Sequence, residues 1–169
     1  MLSEKLVLDS DKEDFIVAPP DTLDLEDLVA NLRDQDRNEI LGLDKDVEFT
    51  IPESVKNSEF VLAVNQKSTG DLISIFGVGN HSEEIGIPWM LGTKLFDKYH
   101  RSFVRYGPEW LKYLLKDYKL GINWISEENK RSYRWLNSIG ATFIDNEWNP
   151  AIPSGYLQFV IEGGKSENV

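Results

Sequence analysis

The stretch Gly121 to Phe143, GINWISEENKRSYRWLNSIGATF, leaves a folding chain few choices. Ile122, Trp124 and Ile125 form an apolar run of strand length, and Ser126 to Glu128 turn the chain. Asn129 then predicts a helix cap, because an Asn carbonyl accepts the free amide hydrogens of a first turn. Tyr133, Trp135, Leu136 and Ile139 follow at mixed three- and four-residue spacing, the period of a helix with one buried face. Gly140 stops that helix, since glycine takes the left-handed conformation that closes a helical end. Thr142, Phe143 and Ile144 start another strand.

The remaining chain builds outward from this unit. Met1 to Asp14 reads as a loose arm and Phe15 to Ala18 as a strand ended by Pro19 and Pro20, which have no amide hydrogen for a ladder. Thr22 is the expected cap of a long helix to Gly42, with Asp24, Glu26 and Asp27 in its first turn and Leu25, Leu28, Val29, Leu32 and Ile40 buried. A short helix follows at Pro52 to Asn57. Glu59 to Asn65 and Leu72 to Gly79 predict a hairpin, and Glu84 to Met90 a strand in which Pro88 removes one ladder bond. That strand and Gly121 to Ser126 should lie parallel and diverge near Pro88, with the helical stretch Leu95 to Tyr118 as their crossover. Gly107 and Pro108 read as the end of one helix and the start of the next. The last strands run from Phe143 to Trp148 and from Tyr156 to Ile161, and Gly163 to Val169 should fray. Trp89, Trp110, Trp124, Trp135 and Trp148 all fall on elements expected to be at least half buried.

Composition narrows the chemistry. At 169 residues the chain fits one domain. It has no cysteine, which excludes disulfides, thiolate metal sites and cysteine nucleophiles, and only His81 and His100 offer imidazole. No apolar run reaches membrane length and no secretory signal is expected. The net charge of -11 sits entirely in residues 1 to 60, with 17 acidic and 6 basic side chains, while the remainder carries 12 of each. Lys94, Lys98, Arg101 and Arg105 form a basic stripe at helical spacing, expected on the side opposite the acidic helix. So acidic a first third repels DNA and suits a basic protein partner.

The pattern of Asn129, Trp135-Leu136 and Ile139-Gly140 after an apolar strand resembles the second conserved block of the Gcn5-related N-acetyltransferase (GNAT) superfamily. More narrowly, FIVAPPDTLDLEDLVANLRDQDRNEI, IPWMLGT and RWLNSIGA resemble the acetyltransferase-like proteins of tailed bacteriophages, which include internal-virion and morphogenesis proteins. The resemblance spans about Phe15 to Ile161. It implies a mixed α/β fold: a central, mainly antiparallel, splayed sheet of six to seven strands between helices, in one domain from residue 15 to 162. It also implies that acetyl-CoA, if used, lies in the splay against Met90, Leu91, Gly92, Thr93 and Asn129.

Two departures weaken that cofactor site. The family's phosphate cradle reads Gln or Arg, two residues, Gly, one residue, Gly or Ala. The corresponding stretch here is Trp89-Met90-Leu91-Gly92-Thr93-Lys94, with one glycine. The tyrosine that often serves as the family's acid is replaced by Leu136, which has no proton to give; Tyr133 lies one turn away, on an adjoining face. The resulting expectation is a protein without cofactor that works non-catalytically in virion morphogenesis or as a virion-associated protein, with a virion or host protein as partner and no nucleic acid or membrane. The alternatives are an acetyl-CoA-dependent N-acyltransferase of unknown acceptor and an acidic effector that binds a basic host protein. All three place the chain in the host-cell cytoplasm or the virion.

Overall fold

The computed structural model describes residues 13–165. The arm expected at Met1 to Asp14 therefore lies outside it except for Glu13 and Asp14, as do residues 166–169 of the expected tail. The chain forms β1 (Phe15–Ala18), α1 (Thr22–Asn31), α2 (Asp34–Gly42), α3 (Val47–Lys56), β2 (Ser58–Gln66), β3 (Leu72–Asn80), β4 (Ile85–Gly92), α4 (Phe96–Leu114), β5 (Leu120–Ser126), α5 (Lys130–Ser138), β6 (Thr142–Ile144) and β7 (Tyr156–Glu162). The strands make one seven-stranded sheet in the order β1-β2-β3-β4-β5-β7-β6. The architecture is the mixed α/β one expected. The chain divides into two compact units: the described residues up to Gly77 with Met90–Phe103, and Val78–Trp89 with Val104 onward.

In the first unit, β1 runs antiparallel to β2 in the register Phe15↔Gln66 to Ala18↔Ala63. Its core is Phe15, Leu28, Leu32, Ile51, Leu62, Leu72, Ile73 and Ile75, none more than 1% exposed. Asp21, not Thr22, caps α1: its carboxylate accepts from the Asp24 amide while the Asp24 carboxylate accepts from the Asp21 amide, both at 2.9 Å. The single helix expected from Thr22 to Gly42 is two. The break at Leu32 and Arg33 exists because Leu32 bridges Thr93 and the Arg33 amide donates to the Gly92 carbonyl at 3.0 Å. The short helix expected at Pro52 to Asn57 starts earlier, at Val47, because the Asp46 carboxylate caps the Phe49 amide.

In the second unit, β4 and β5 are parallel, as expected, but only Ile85↔Leu120 and Gly86↔Gly121 are paired. β5 continues antiparallel to β7 along its whole length, and β7 to β6. Asn129 caps α5 through its buried side chain, which accepts from the Ser132 amide at 3.0 Å. Gly140 closes the helix at φ 97°; its amide reaches the Asn137 carbonyl and that of Ala141 the Leu136 carbonyl, the paired bonds of a left-handed helix end.

Three expectations fail locally. α4 runs unbroken through Gly107 and Pro108. A Cβ on Gly107 would lie 2.7 Å from Cζ2 of Trp135, so the glycine is there for that ring and not for a helix end. The strand expected to reach Trp148 stops at Ile144, because the Asp145 carboxylate takes the amides of Glu147 and Trp148 and folds the chain into a turn. Trp148 is consequently 85% exposed, against the expectation, whereas Trp110 is buried and Trp124, at 37%, stays more than half buried. Gly163, Gly164 and Lys165, the described part of the expected tail, donate backbone bonds to the carbonyls of Lys119, Leu115 and Tyr118.

Candidate functional site

The loop at the end of β4 is the segment on which the cofactor expectation rests, and it can be followed amide by amide. The Gly92 amide donates to Oδ2 of Asp36 at 2.7 Å, in a buried contact. The Thr93 amide donates to the Ile73 carbonyl and the Lys94 amide to the Asn31 carbonyl, both at 3.0 Å. The Thr93 hydroxyl donates to the Leu72 carbonyl at 2.7 Å, and the Leu91 carbonyl accepts from the Ser74 hydroxyl at 2.9 Å. A phosphate cradle needs a fan of amides pointing at solvent. Here those of Gly92, Thr93 and Lys94 already have acceptors within the chain.

Asp36 is the residue that sequence reasoning missed. Although it lies among the exposed acids of the first third of the chain, it is only 2% exposed. A buried carboxylate is tolerated only when paired and hydrogen-bonded. Asp36 meets that condition with the Gly92 amide and a two-pronged ion pair from Arg33: Nε to Oδ2, and Nη2 to Oδ1 at 3.0 Å. The Arg33 guanidinium stacks over the Phe96 ring, 4.2 Å from its centroid. Phe96 in turn explains Gly92, whose Cβ would stand 3.0 Å from Cβ of Phe96. The loop's single glycine makes room for that ring. Lys94, bonded by its backbone to the end of α1, stands next to the acidic helix and not opposite it; Lys94, Lys98, Arg101 and Arg105 are all exposed.

In the second unit the divergence of β4 from β5 begins beyond Gly86, next to Pro88, which has no amide hydrogen to pair. A protein side chain bridges the gap: Asn123 of β5 donates from Nδ2 to the Pro88 carbonyl at 2.9 Å, while its Oδ1 accepts from the Trp124 amide. Leu136 is buried within α5, and Tyr133 is 38% exposed with its ring against Phe143, centroids 4.4 Å apart. Leu136 has no proton to give. An open cleft of about 450 Å³ is lined by Ser126, Glu127, Lys130, Tyr133, Arg134 and Leu157. Among the described residues no group of His, Asp and Glu could hold a metal ion, and no helix is long and apolar enough to cross a membrane.

A parallel β4–β5 pair that parts beside a proline, inside a mixed seven-stranded sheet, is the fold of the GNAT acetyltransferases. Solved structures agree. An acetyltransferase of this family from Bacillus anthracis superposes with a TM-score of 0.62 at 17% identity, covering 89% of this chain and 95% of that one. One from Streptococcus agalactiae gives 0.67 at 12% identity, covering 89% and 99%. An acetyltransferase of Salmonella typhimurium, solved with its cofactor acetyl-CoA, gives 0.58 at 12% identity, covering 93% and 98%. No curated protein matches the sequence significantly. Residues 63–149 match the family described as "Bacteriophage T7, probable scaffold protein Gp13", and the chain belongs to that family. Of the groups expected to hold the acetyl-CoA that the fold implies, the Gly92 amide is already taken by the Asp36 carboxylate.

Proposed function

We propose that this protein keeps the acetyltransferase fold without the reaction and serves phage particle assembly by binding another protein, in the infected cell or within the particle. The observation that carries the reading is the buried Asp36 carboxylate on the Gly92 amide. A carboxylate there repels the phosphates of a coenzyme, and it already takes the Gly92 amide and the Arg33 guanidinium as its donors. Leu136 and the Asn123 bridge between the diverging strands point the same way. The partner is a basic protein: Asp21, Glu26, Asp34, Asp44, Asp46 and Glu48 are exposed on and beside α1, α2 and α3, and such contacts weaken as salt shortens the screening length.

Infection with a phage whose copy of this gene is interrupted should yield few infectious particles. The chain supplied in trans should restore them without acetylating any particle protein, as read by mass spectrometry. Normal yields without the chain, or acetylation that depends on it, would contradict the reading.

A further inference from the structure

The turn after β6 presents an indole on a fixed support. The Asp145 carboxylate accepts from the amides of Glu147 and Trp148 at 3.1 and 3.3 Å, and the Asp145 carbonyl accepts from the Asn149 amide at 3.1 Å. Asn149 then ties the far side of the turn: its Oδ1 accepts from the Ala151 amide, and its Nδ2 donates to Oε1 of Gln158 on β7. The backbone is thus held on both sides of Trp148, yet its side chain is 85% exposed. Among the described residues that indole meets neither another ring nor a cation, and the exposed Glu147 beside it forms no ion pair. Tryptophan is among the side chains that carry most of the energy of protein–protein contacts, and one held in place before docking loses little freedom on binding.

The cleft of about 450 Å³ in the same unit has the complementary chemistry. Lys130, Tyr133 and Arg134 line it from one face of α5, at helical spacing of three and four residues, and Leu157 of β7 adds an apolar side chain. The Tyr133 ring is steadied against Phe143, with centroids 4.4 Å apart. α5 opens on Lys130 and Arg131 with no acid in its first turn, so cations stand at the end of the helix whose dipole favours anions. Arg33, Lys98, Arg105 and Lys116 each lie over an aromatic ring. Lys130 and Arg134, both exposed, have neither a ring nor a carboxylate among the described residues.

We infer that Trp148 of one molecule docks in the Lys130–Arg134 cleft of a second copy of this chain, with its indole against the two cations and Tyr133, and with Glu147 facing the same cations. An indole face attracts a cation and a carboxylate neutralises one, so the turn supplies both groups that the cleft lacks. Each half is unmatched within its own molecule, and a second copy brings the missing half. A contact built on one turn and one cleft is small, so it depends on concentration and weakens as salt screens its charges. It uses residues of the second unit alone, and none of the acidic side chains assigned above to a basic partner.

The test is the mass of the full chain in solution, read by analytical ultracentrifugation at concentrations up to about 1 mM and at low and high salt. The average mass of the wild type should rise with concentration at low salt and rise less at high salt. Trp148→Ala removes the turn's anchor and Lys130→Gln with Arg134→Gln removes the cleft's charge; all three positions are exposed, so both variants should fold, as circular dichroism checks. Each variant alone should associate at least about ten times more weakly than wild type. An equimolar mixture of the two should associate again, as a pair, because the cleft variant keeps Trp148 and the Trp148 variant keeps an intact cleft. A wild type that stays monomeric throughout would overturn the inference, whatever other protein the cleft then proves to hold. So would variants that associate as tightly as wild type, or a mixture that associates no better than its components. The assembly role is judged separately, by particle yield and acetylation.

Discussion

Gly107→Ala should destabilise this protein, although the same change in an ordinary helix interior stabilises it. Gly107 lies in the middle of α4, where alanine is favoured over glycine by about 0.8–1 kcal/mol. Against that, the new Cβ would lie 2.7 Å from Cζ2 of Trp135, well inside the roughly 3.5–4.0 Å at which carbon atoms attract. The obstacle is a rigid indole on another helix, so either the ring or α4 must shift. Overpacking of this kind costs about 1–3 kcal/mol. The midpoint of that range minus the propensity gain leaves a net loss of about 1 kcal/mol, or roughly 2–4 °C in melting temperature for a chain of this length. Trp135→Ala removes the obstacle, and in that background Gly107→Ala should gain the full propensity term, giving a coupling of about 2 kcal/mol in a double-mutant cycle read by urea denaturation. Stabilisation by Gly107→Ala in the wild-type background, with no coupling to Trp135, would refute the reasoning that the glycine exists for the ring.

Asn123→Asp replaces the donor to the Pro88 carbonyl with a second acceptor, and it should cost about 1–3 kcal/mol in urea denaturation, whereas Trp124→Ala one residue on, at an exposed position, should cost less. The bond from Gln66, with help from Ser68 and Tyr99, holds the Asp14 carboxyl below its ordinary value of 3.8, while burial, then the Asp14 charge, raises the Tyr99 hydroxyl above 10.0. Asp14 therefore contributes stability that is present above pH 3.8 and is lost as pH falls through its folded value; Tyr99 contributes stability that is present below pH 10.0 and is lost as pH rises through its folded value. Asp14→Asn should flatten the acid limb of a stability–pH profile and Tyr99→Phe the alkaline limb, and unchanged limbs would count against both assignments. Trp148→Ala should change stability by under about 0.5 kcal/mol, and Trp110→Ala should cost about 3–5 kcal/mol.

The parts legible in the sequence were those governed by local rules. Asn129 and Gly140 each act through bonds within a few residues, and both do in the structure what their residue types imply. The parallel β4–β5 pair was also legible, because a long helical stretch between two strands permits that order. The errors came where a distant partner overrode a local signal. Gly107 and Pro108 look like a helix boundary until Trp135, 28 positions on, is set against them. Asp145 turned a continuing strand outward and exposed Trp148. Asp36 was indistinguishable from the acids around it, since its burial depends on Gly92, 56 residues away. The one available hint was the Arg33–Asp36 spacing, a helical pair straddling a point where the apolar stripe of the acidic helix jumps from Leu32 to Ile40.

The central claim is that the Gly92 amide belongs to Asp36 and not to a coenzyme, and amide NMR of the isotopically labelled full chain during titration with acetyl-CoA tests it most directly. The Gly92 resonance should be shifted downfield by its carboxylate acceptor, slow to exchange with solvent, and unmoved together with Leu91 and Thr93 up to about millimolar acetyl-CoA, the range in which binding free energies are only about -4 kcal/mol. Saturable shifts of Gly92, Thr93 and Asn129 with a low-micromolar dissociation constant would contradict it and restore the acyltransferase reading.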